Sequence, residues 1–223
     1  MIIWAIIPVK PLNYSKSRLA HILSTEERAE LTSNILKRTL GVVNEAPLIS
    51  RTLVVSRDTA VLKVARQVGA STYGETEKQD LNLALTRAAH IAIAQKADGI
   101  LILPADLPFI TSNDIKAIVE AAGANHQNGS NGYSFKRRTM VICGDNNNDG
   151  TNALLVSPPT GFNFQYGPGS FTKHLTEAEH LGMNSTILSR PTIEFDLDTE
   201  EDWSAYLATR SGSTALEIAT KSI

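Results

Sequence analysis

Three aspartates stand where apolar segments of this 223-residue chain end. Asp106 follows the apolar run 99–103 and lies between two prolines, and Asp196 and Asp198 follow the apolar Ile193. Because residues two apart in an extended chain project to the same side, Asp196 and Asp198 can face one point. An aspartate in such a place is either a helix or turn cap or a metal ligand.

Electrostatics favours the metal interpretation of these aspartates. Three carboxylates held close together raise each other's pKa, so such a cluster is costly without a cation. Mg²⁺ prefers hard oxygen ligands and is usually held by one or two carboxylates together with substrate phosphates. We therefore predict that Asp106, Asp196 and Asp198 hold magnesium, with capping as the alternative.

Three cations lie within nine residues of one another after the apolar run 2–9, namely Lys10, Lys16 and Arg18. One interpretation is a solvated basic loop. The position favours a polyphosphate site, because the loop after the first strand of such a sheet is the usual nucleotide site. This basic loop, 10–18, contains no glycine, so it is neither a Walker loop nor a dinucleotide-binding loop. Side-chain charge must therefore replace the backbone amides that bind phosphate in those loops.

Two further polar segments precede an apolar run or a helix. The Asp- and Asn-rich stretch 144–152 leads into the apolar run 153–155, and by itself it indicates only a turn. The glycine-containing stretch 166–171 precedes His174 on a predicted helix. Glycine lets the backbone approach a ligand and amides at a helix start attract anions, so an acidic phosphorylated substrate could lie there. His174 on its own is more typical of a structural or surface histidine.

Composition argues against several classes of function. A net charge of -2 gives no broad basic field for nucleic acid. No apolar run approaches the ~20 residues that cross a bilayer, so we expect a cytoplasmic protein without a membrane partner. The single cysteine, Cys143, lies in an apolar run and is predicted to be a buried structural thiol. No serine lies in a nucleophile-elbow sequence, and covalent catalysis is not indicated.

Apolar strands that alternate with helices must position these residues. We predict strands over 2–9, 52–56, 70–73 and 99–103, followed by helices that are capped by Ser24, Asp58, Asp80 and Thr111 respectively. This alternation predicts right-handed parallel βαβ units, whose ligands lie beyond the carboxyl ends of the strands. The predicted fold is therefore α/β and Rossmann-like, in one domain over 1–223, with 99–103 at the centre of a mostly parallel sheet.

After residue 124 the alternation of predicted strands and helices is less regular. The polar stretch 125–138 is predicted to be a mobile surface loop. Further strands are predicted over 139–143, 153–156, 185–188 and 192–195, with a helix over 170–181, which suggests added strands and an antiparallel edge. Thr199 with Asp202 is predicted to cap a last helix. The tail 210–223 is predicted to be frayed, or to dock its apolar residues on a second copy of the chain in a homodimer.

Five segments in sequence order carry a family resemblance. They are PVK at 8–10 with KSRL at 16–19, LPADLP at 103–108, DGTNALL at 149–155, GPGSF at 167–171 with His174, and FDLDT at 195–199. Each is weak alone, but together they span nearly the whole chain. The chain in this respect resembles the guanylyltransferases that make the activated phosphoacid for coenzyme F420.

The resemblance implies a nucleotide-diphospho-sugar-transferase-like fold and transfer of GMP from GTP with release of pyrophosphate. The implied acceptor is phosphoenolpyruvate or 2-phospho-L-lactate, with 3-phosphoglycerate as a further option, and the product would pass to a downstream transferase. On this basis the magnesium ligands are Asp106, Asp196 and Asp198, and the catalytic residues are Asp106, Asp198 and Lys16. The implied GTP-binding residues are Lys10, Lys16, Arg18 and Asn82, and the implied acceptor-binding residues are Thr151, Gly167 and Ser170.

Two other functions remain as alternatives. A nucleotidyltransferase that charges a sugar phosphate or a molybdopterin has the same architecture, although such enzymes usually carry a glycine-rich loop after the first strand. A non-enzymatic nucleotide-binding module would use the carboxylates as caps. Release of pyrophosphate from GTP distinguishes an enzyme from such a module.

Overall fold

The computed structural model describes residues 1–75, 80–124 and 138–210. Its strands, numbered in chain order, are β1 (Ile3–Pro8), β2 (Ile49–Ser56), β3 (Ser71–Gly74), β4 (Gly99–Ile102), β5 (Thr139–Gly144), β6 (Thr151–Ser157) and β7 (Asn184–Ile187). They form one seven-stranded sheet in the order β3-β2-β1-β4-β6-β5-β7. Only β6 runs against its neighbours, so the predicted α/β class with a mostly parallel sheet is confirmed.

The described helices are α1 (Thr25–Glu45), α2 (Thr59–Gln67), α3 (Leu81–Ala94), α4 (Ser112–Ala124), α5 (Ser170–His180), α6 (Pro191–Glu194) and α7 (Glu200–Arg210). Two 3-10 turns, Leu12–Tyr14 and Ser17–Leu19, shape the basic loop. Among the described helices, none is both long and apolar enough to cross a membrane.

Local side-chain bonds start the helices where the sequence predicts. Ser24 and Glu27 form a capping box at α1, in which the hydroxyl of Ser24 accepts from the Glu27 amide at 3.1 Å and the Glu27 carboxylate accepts from the Ser24 amide at 2.7 Å. Asp58 and Asp80 cap α2 and α3 through their carboxylates. The same reciprocal pattern joins Thr111 to Asp114 before α4 and Thr199 to Asp202 before α7. These bonds satisfy amides that a helix leaves unpaired at its start.

The inner strands of the sheet are buried on both faces, because they carry apolar side chains on both. In β1, Ile3, Ala5 and Ile7 pack into a cluster with α1, α2 and α4, whereas Trp4 and Ile6 pack into a second cluster with α3 and α5. The four residues of β4 are all buried, and β4 is the middle strand of the seven, as predicted. The sheet is thus a rigid platform with helices on both sides.

The reversed strand β6 begins at the end of the sheet where the parallel strands have their carboxyl ends. It pairs antiparallel with β4 and with β5, and Thr151 at its start pairs with Gly144 at the end of β5. The amino end of β6 therefore lies at the same edge as the carboxyl ends of β1, β4 and β5. The predicted antiparallel edge is corrected by this arrangement, since the antiparallel strand is internal and the edge strand β7 is parallel to β5.

The strand predicted over 192–195 is wrong. The segment forms the one-turn helix α6, with Pro191 in its first turn. Proline fixes φ near the helical value and fits that position. The carboxylate of Glu194 then accepts hydrogen bonds from the Ser189 hydroxyl at 2.6 Å and the Arg190 amide at 3.0 Å, which closes the turn.

The predicted mobile loop over 125–138 and the predicted frayed tail over 210–223 lie outside the described residues, except for Arg138 and Arg210.

Candidate active site

A cleft of about 560 Å³ opens at the edge of the sheet where the predicted segments meet. Its volume is in the range of pockets that bind small molecules. Every predicted site residue except Asn82 lines it: Lys10, Lys16, Arg18, Asp106, Thr151, Gly167, Ser170, Asp196 and Asp198. Residues that are far apart in the sequence are therefore brought together as the carboxyl-end rule predicts.

The basic loop places one buried and two exposed cations along the cleft. The side chain of Lys16 is only 5% exposed, and its Nζ lies 3.6 Å from Oδ2 of Asp106. Arg18 is exposed, and its Nη1 donates to Oδ2 of Asp198 at 3.0 Å. Lys10 is exposed at the end of β1. The basic loop thus faces the predicted metal ligands directly.

Lys16 adopts a backbone conformation that side chains other than glycine rarely take. Its φ of 50° and ψ of 40° are left-handed, immediately before the turn Ser17–Leu19. Such a conformation costs roughly 1–2 kcal/mol for an ordinary L-residue. A buried bond between the hydroxyls of Ser15 and Thr32, 2.8 Å apart, ties the loop to α1. Surrounding structure therefore holds the ammonium of Lys16 against Asp106.

Asp106 and Asp196 lie close together on the carboxylate side of the cleft. The main chains of their two segments join where the Leu197 amide donates to the carbonyl of Asp106 at 3.0 Å. Burial, followed by the charge of Asp106, raises the pKa of Asp196 to about 6, although the amide of Asn152 and the charge of Lys16 oppose this shift. A second carboxylate close by is what the sequence argument predicts.

The donors present suit a hard divalent cation that shares its coordination with a substrate. No group of three or more His, Cys, Asp or Glu side chains in the described residues is arranged to hold a metal by itself. Mg²⁺ commonly uses one or two carboxylates plus phosphate oxygens and water, so it does not need such a group. A cation would also favour the charged form of Asp196, whose pKa is raised. The roles of Asp106, Asp196 and Asp198 as ligands stay predictions.

Asn152 holds in place the turn that leads into Asp196. It was not among the predicted site residues. Its Nδ2 donates to the carbonyl of Ile193 at 2.8 Å and to that of Glu194 at 3.2 Å, and it lies 3.5 Å from Oδ1 of Asp196. The side chain is buried. The start of β6 therefore holds the turn that leads into Asp196. An Asn beside Thr151 in the Asp-Gly-Thr-Asn segment was the available sequence signal.

A further part of the cleft wall contains Thr151 and Ser170, both of which are buried. Their hydroxyls are 3.1 Å apart, with Ser170 donating to Thr151. The loop before α5 is held by Asp149, whose Oδ1 accepts from the Gly169 amide at 3.1 Å. Gly167, with a φ of 124°, has a conformation that glycine alone takes readily, and no atom would meet a Cβ there within 4 Å.

The side-chain amide of Asn82 is bonded to the main chain of Tyr166, a residue that lines the cleft. Its Nδ2 donates to the carbonyl of Tyr166 at 3.1 Å, and its Oδ1 accepts from the Tyr166 amide at 2.7 Å. These two bonds fix the loop that leads to Gly167. The predicted contact of Asn82 with GTP stays a prediction, while its observed contacts are with the protein.

Two cleft residues at the ends of β2 and β3 were also missed from the sequence. Arg57 and Glu75 line the cleft beside the end of β1. Burial raises the pKa of Glu75, while the charges of Arg57 and Arg87 oppose that shift. The rule that ligands lie beyond the carboxyl ends of parallel strands was the signal that pointed to both positions.

The environment of Cys143 agrees with its prediction as a structural thiol. Cys143 is buried, and burial is the main cause that raises the pKa of its thiol to about 12. A thiol in this condition is a poor nucleophile at neutral pH. The prediction of a structural thiol is confirmed.

Comparison with known proteins agrees with this geometry. The model of the family described as "Guanylyl transferase CofC like" matches residues 3–221. A phosphoenolpyruvate guanylyltransferase from Rubrobacter xylanophilus is 40% identical over 202 residues, covering 91% of this chain and 92% of that protein. A 2-phospho-L-lactate guanylyltransferase from Methanothermobacter thermautotrophicus is 30% identical over 217 residues, covering 97% of this chain and 89% of that protein.

Solved structures confirm the fold. A candidate nucleotide-diphospho-sugar transferase from Desulfovibrio desulfuricans G20 superposes with a TM-score of 0.71 at 12% identity, over 96% of this chain and 90% of that one. At this identity the likeness bears on the fold alone, and it confirms the predicted nucleotide-diphospho-sugar-transferase-like architecture. The family match, in contrast, extends over almost the whole sequence and includes every segment that forms the cleft. The chain belongs to the CofC-like family of guanylyltransferases.

Proposed function

We propose that this protein transfers GMP from GTP to phosphoenolpyruvate or 2-phospho-L-lactate, with release of pyrophosphate, in coenzyme F420 biosynthesis. One observation carries the proposal: in a chain of this family, the basic loop contacts Asp106 and Asp198 in a cleft that Asp196, Thr151 and Ser170 also line. Both acids are named because relatives bear the names of both activities.

The reaction requires alignment and charge neutralisation rather than a general base. The phosphate of the acceptor is already a nucleophile, and one of its oxygens forms a bond to the α-phosphorus of GTP. The bond from that phosphorus to the oxygen bridging to the β-phosphate breaks, and pyrophosphate leaves with the electron pair. Negative charge grows on the leaving oxygen, so cations placed there lower the barrier.

The described side chains fit these tasks. Lys16 and Arg18 each contact a carboxylate, at 3.6 and 3.0 Å, and a triphosphate offers the same cations a more highly charged partner. Arg18 can bind two phosphate oxygens at once, whereas Lys16 acts as a point charge fixed by its buried stem. Lys10 adds a third positive charge at the mouth of the cleft. We assign triphosphate binding to these three residues and a further catalytic role to Lys16.

Asp106, Asp196 and Asp198 are the residues that would hold Mg²⁺, which when bound would neutralise phosphate oxygens and help to align donor and acceptor. Thr151, Ser170 and the backbone at Gly167 would bind the acidic acceptor. Asn82 bonds the main chain of Tyr166, and its proposed role toward GTP would act through the loop at that residue.

The product contains a phosphoanhydride that links GMP to the acid, so it is an activated donor. A downstream transferase that displaces GMP is the class of reaction that would consume it. Pairing of two chains through the tail 210–223 is a separate proposal, which the oligomeric state of a chain truncated at residue 209 would test.

The experiment measures pyrophosphate release from GTP with phosphoenolpyruvate, 2-phospho-L-lactate and 3-phosphoglycerate in parallel, with magnesium and with EDTA. We expect release with at least one of the first two acids, loss of release in EDTA, and a product mass equal to that of the acid plus GMP minus one water. A sugar 1-phosphate and CTP serve as control substrates. Absence of release with all three acids, or release with a sugar phosphate alone, would contradict the proposed function.

A further inference from the structure

His174 is buried next to Thr151, one of the residues proposed to bind the acceptor, and takes no direct part in the chemistry proposed above. It is completely buried on α5, between the rings of Phe162 and Tyr166 at centroid distances of 5.9 and 4.9 Å. Both of its ring nitrogens nevertheless have polar partners. Nδ1 is 3.1 Å from the hydroxyl of Thr151, and Nε2 accepts from the backbone amide of Gln165 at 3.0 Å.

The contact with Gln165 determines which nitrogen carries the proton. A backbone amide can only donate, so Nε2 must be the unprotonated nitrogen. A neutral imidazole has one N–H group, which therefore lies on Nδ1 and points at the Thr151 hydroxyl. Burial, together with the charge of Lys173, lowers the pKa of His174 to about 4, so the ring is neutral at physiological pH.

The proton on Nδ1 in turn sets the direction of the Thr151 hydroxyl. Thr151 Oγ1 accepts from His174 Nδ1 and also from the hydroxyl of Ser170. A hydroxyl oxygen has two lone pairs and one proton, so both lone pairs are occupied and the proton of Thr151 must be donated elsewhere. Within the described ranges no protein acceptor is found for it, and Thr151 lines the cleft.

We propose that His174 is a positioning residue that makes the hydroxyl of Thr151 an obligatory donor toward the acidic acceptor. This inference rests on the proposed function, in which Thr151 and Ser170 bind that acceptor. With the proton on Nε2 instead, Thr151 would donate to Nδ1 and present lone pairs to the cleft. Such a wall would repel a carboxylate or phosphate oxygen, so His174 selects an anionic group over a hydrogen-bond donor.

The kinetic test compares His174→Phe with Thr151→Val. Phenylalanine keeps a planar ring in the cluster but removes the N–H group, and valine keeps the shape of threonine without its hydroxyl. A hydrogen bond to a charged group changes affinity by roughly 10- to 100-fold. We expect both variants to raise the KM for the acceptor by about this factor, with the KM for GTP unchanged. The double variant should be no worse than Thr151→Val alone, because the two residues act through one hydroxyl.

A packing control and a partial rescue separate positioning from a merely structural role. Phe162→Leu disturbs the same cluster without removing either hydrogen bond of His174, and it should leave both KM values unchanged. His174→Asn places an amide donor near the position of Nδ1, and it should restore part of the acceptor affinity that His174→Phe loses. Equal rises in both KM values, or a Phe162→Leu variant as impaired as His174→Phe, would overturn the proposal.

The tautomer gives a second readout that does not depend on catalysis. Nitrogen NMR of the imidazole in the full chain identifies the protonated ring nitrogen, and we expect Nδ1–H. A proton on Nε2 would overturn the inference even if the enzyme is active. If the wild-type chain instead releases no pyrophosphate with any of the three acids while the ring carries its proton on Nδ1, the proposed function is wrong and the described hydrogen-bond polarity is retained.

Discussion

The ammonium of Lys16 lies 3.6 Å from the carboxylate of Asp106, and a left-handed backbone and a buried stem hold it there. Natural proteins keep such strained conformations where surrounding structure supports them, often at functional sites. The pairing therefore suggests that the position of this charge matters more than the stability of the loop.

Replacing Lys16 should separate stability from activity. Lys16→Gly and Lys16→Ala both remove the charge, but only glycine takes the left-handed conformation freely. We expect turnover to fall at least about 100-fold in both variants, and Lys16→Gly to be about 1 kcal/mol more stable than Lys16→Ala. Urea denaturation and pyrophosphate release measure the two effects. Equal stability of the pair would argue against strain at Lys16.

The predicted metal ligands give a second prediction. Asp106→Ala and Asp198→Ala should each lower turnover at least about 100-fold. Both side chains are more than a third exposed, so the fold should be unaffected by circular dichroism and thermal melting. Glu120→Ala, on the exposed face of α4, is the matched control that should keep full activity. Wild-type rate in either site variant at saturating magnesium would show the metal assignment to be wrong.

Asn152 should affect Asp196 through its hydrogen bonds to the turn that precedes that residue. Asn152→Ala leaves the carbonyls of Ile193 and Glu194 without their donor, which costs about 1–3 kcal/mol when the groups are buried. We expect a loss of that size in the free energy of unfolding, together with a lower kcat because Asp196 is no longer held in place. Asn44→Ala removes a similar bond, to the carbonyl of Val68, at an exposed position. That control should cost less than about 1 kcal/mol and leave kcat unchanged.

His174 should make the folded chain sensitive to mild acid. The pKa of its imidazole is lowered from 6.5 to about 4, so between these values the unfolded chain takes up a proton that the folded chain does not. Stability is therefore lost as pH falls through this window, by about 3 kcal/mol in total.

The measurement compares urea unfolding of the wild type and of His174→Phe from pH 7 to pH 4. The wild type should lose about 3 kcal/mol more than the variant over this range. The control is His180→Phe, the same substitution at an exposed position of α5, and it should follow the wild-type curve. Parallel curves for the wild type and His174→Phe would contradict this prediction.

Much of the fold could be predicted because local signals agreed with one another. The reciprocal pairs Ser24 with Glu27, Thr111 with Asp114 and Thr199 with Asp202 mark helix starts in sequence, and all three form in the structure. Strand β4 could be placed at the centre because the four consecutive apolar residues 100–103 suit a strand that is covered on both faces.

What could not be predicted depends on contacts between distant segments. The alternation over 192–195 is typical of a strand, but Pro191 and the carboxylate of Glu194 favour a helical turn. Asn152, about forty residues earlier in the chain, donates to the carbonyls of this turn. The orientation of β6 also has no local signature. For the site, the sequence indicated which residues are chemically capable, whereas the roles of Asn152 and His174 depend on hydrogen-bond partners at least nine residues away.

The reversal of β6 brings residues from the later part of the chain to the end of the sheet where the basic loop lies. Had this seven-residue strand run the other way, its first residues would lie roughly 20 Å from the basic loop, on the far rim. In its actual direction, β6 brings Thr151 to the same cleft that the basic loop lines, so that under the proposed function the two reactants would be bound side by side. Under the proposed function, substitutions near Thr151 and Ser170 would alter the preference among acids, while the basic loop in the earlier part keeps its own contacts.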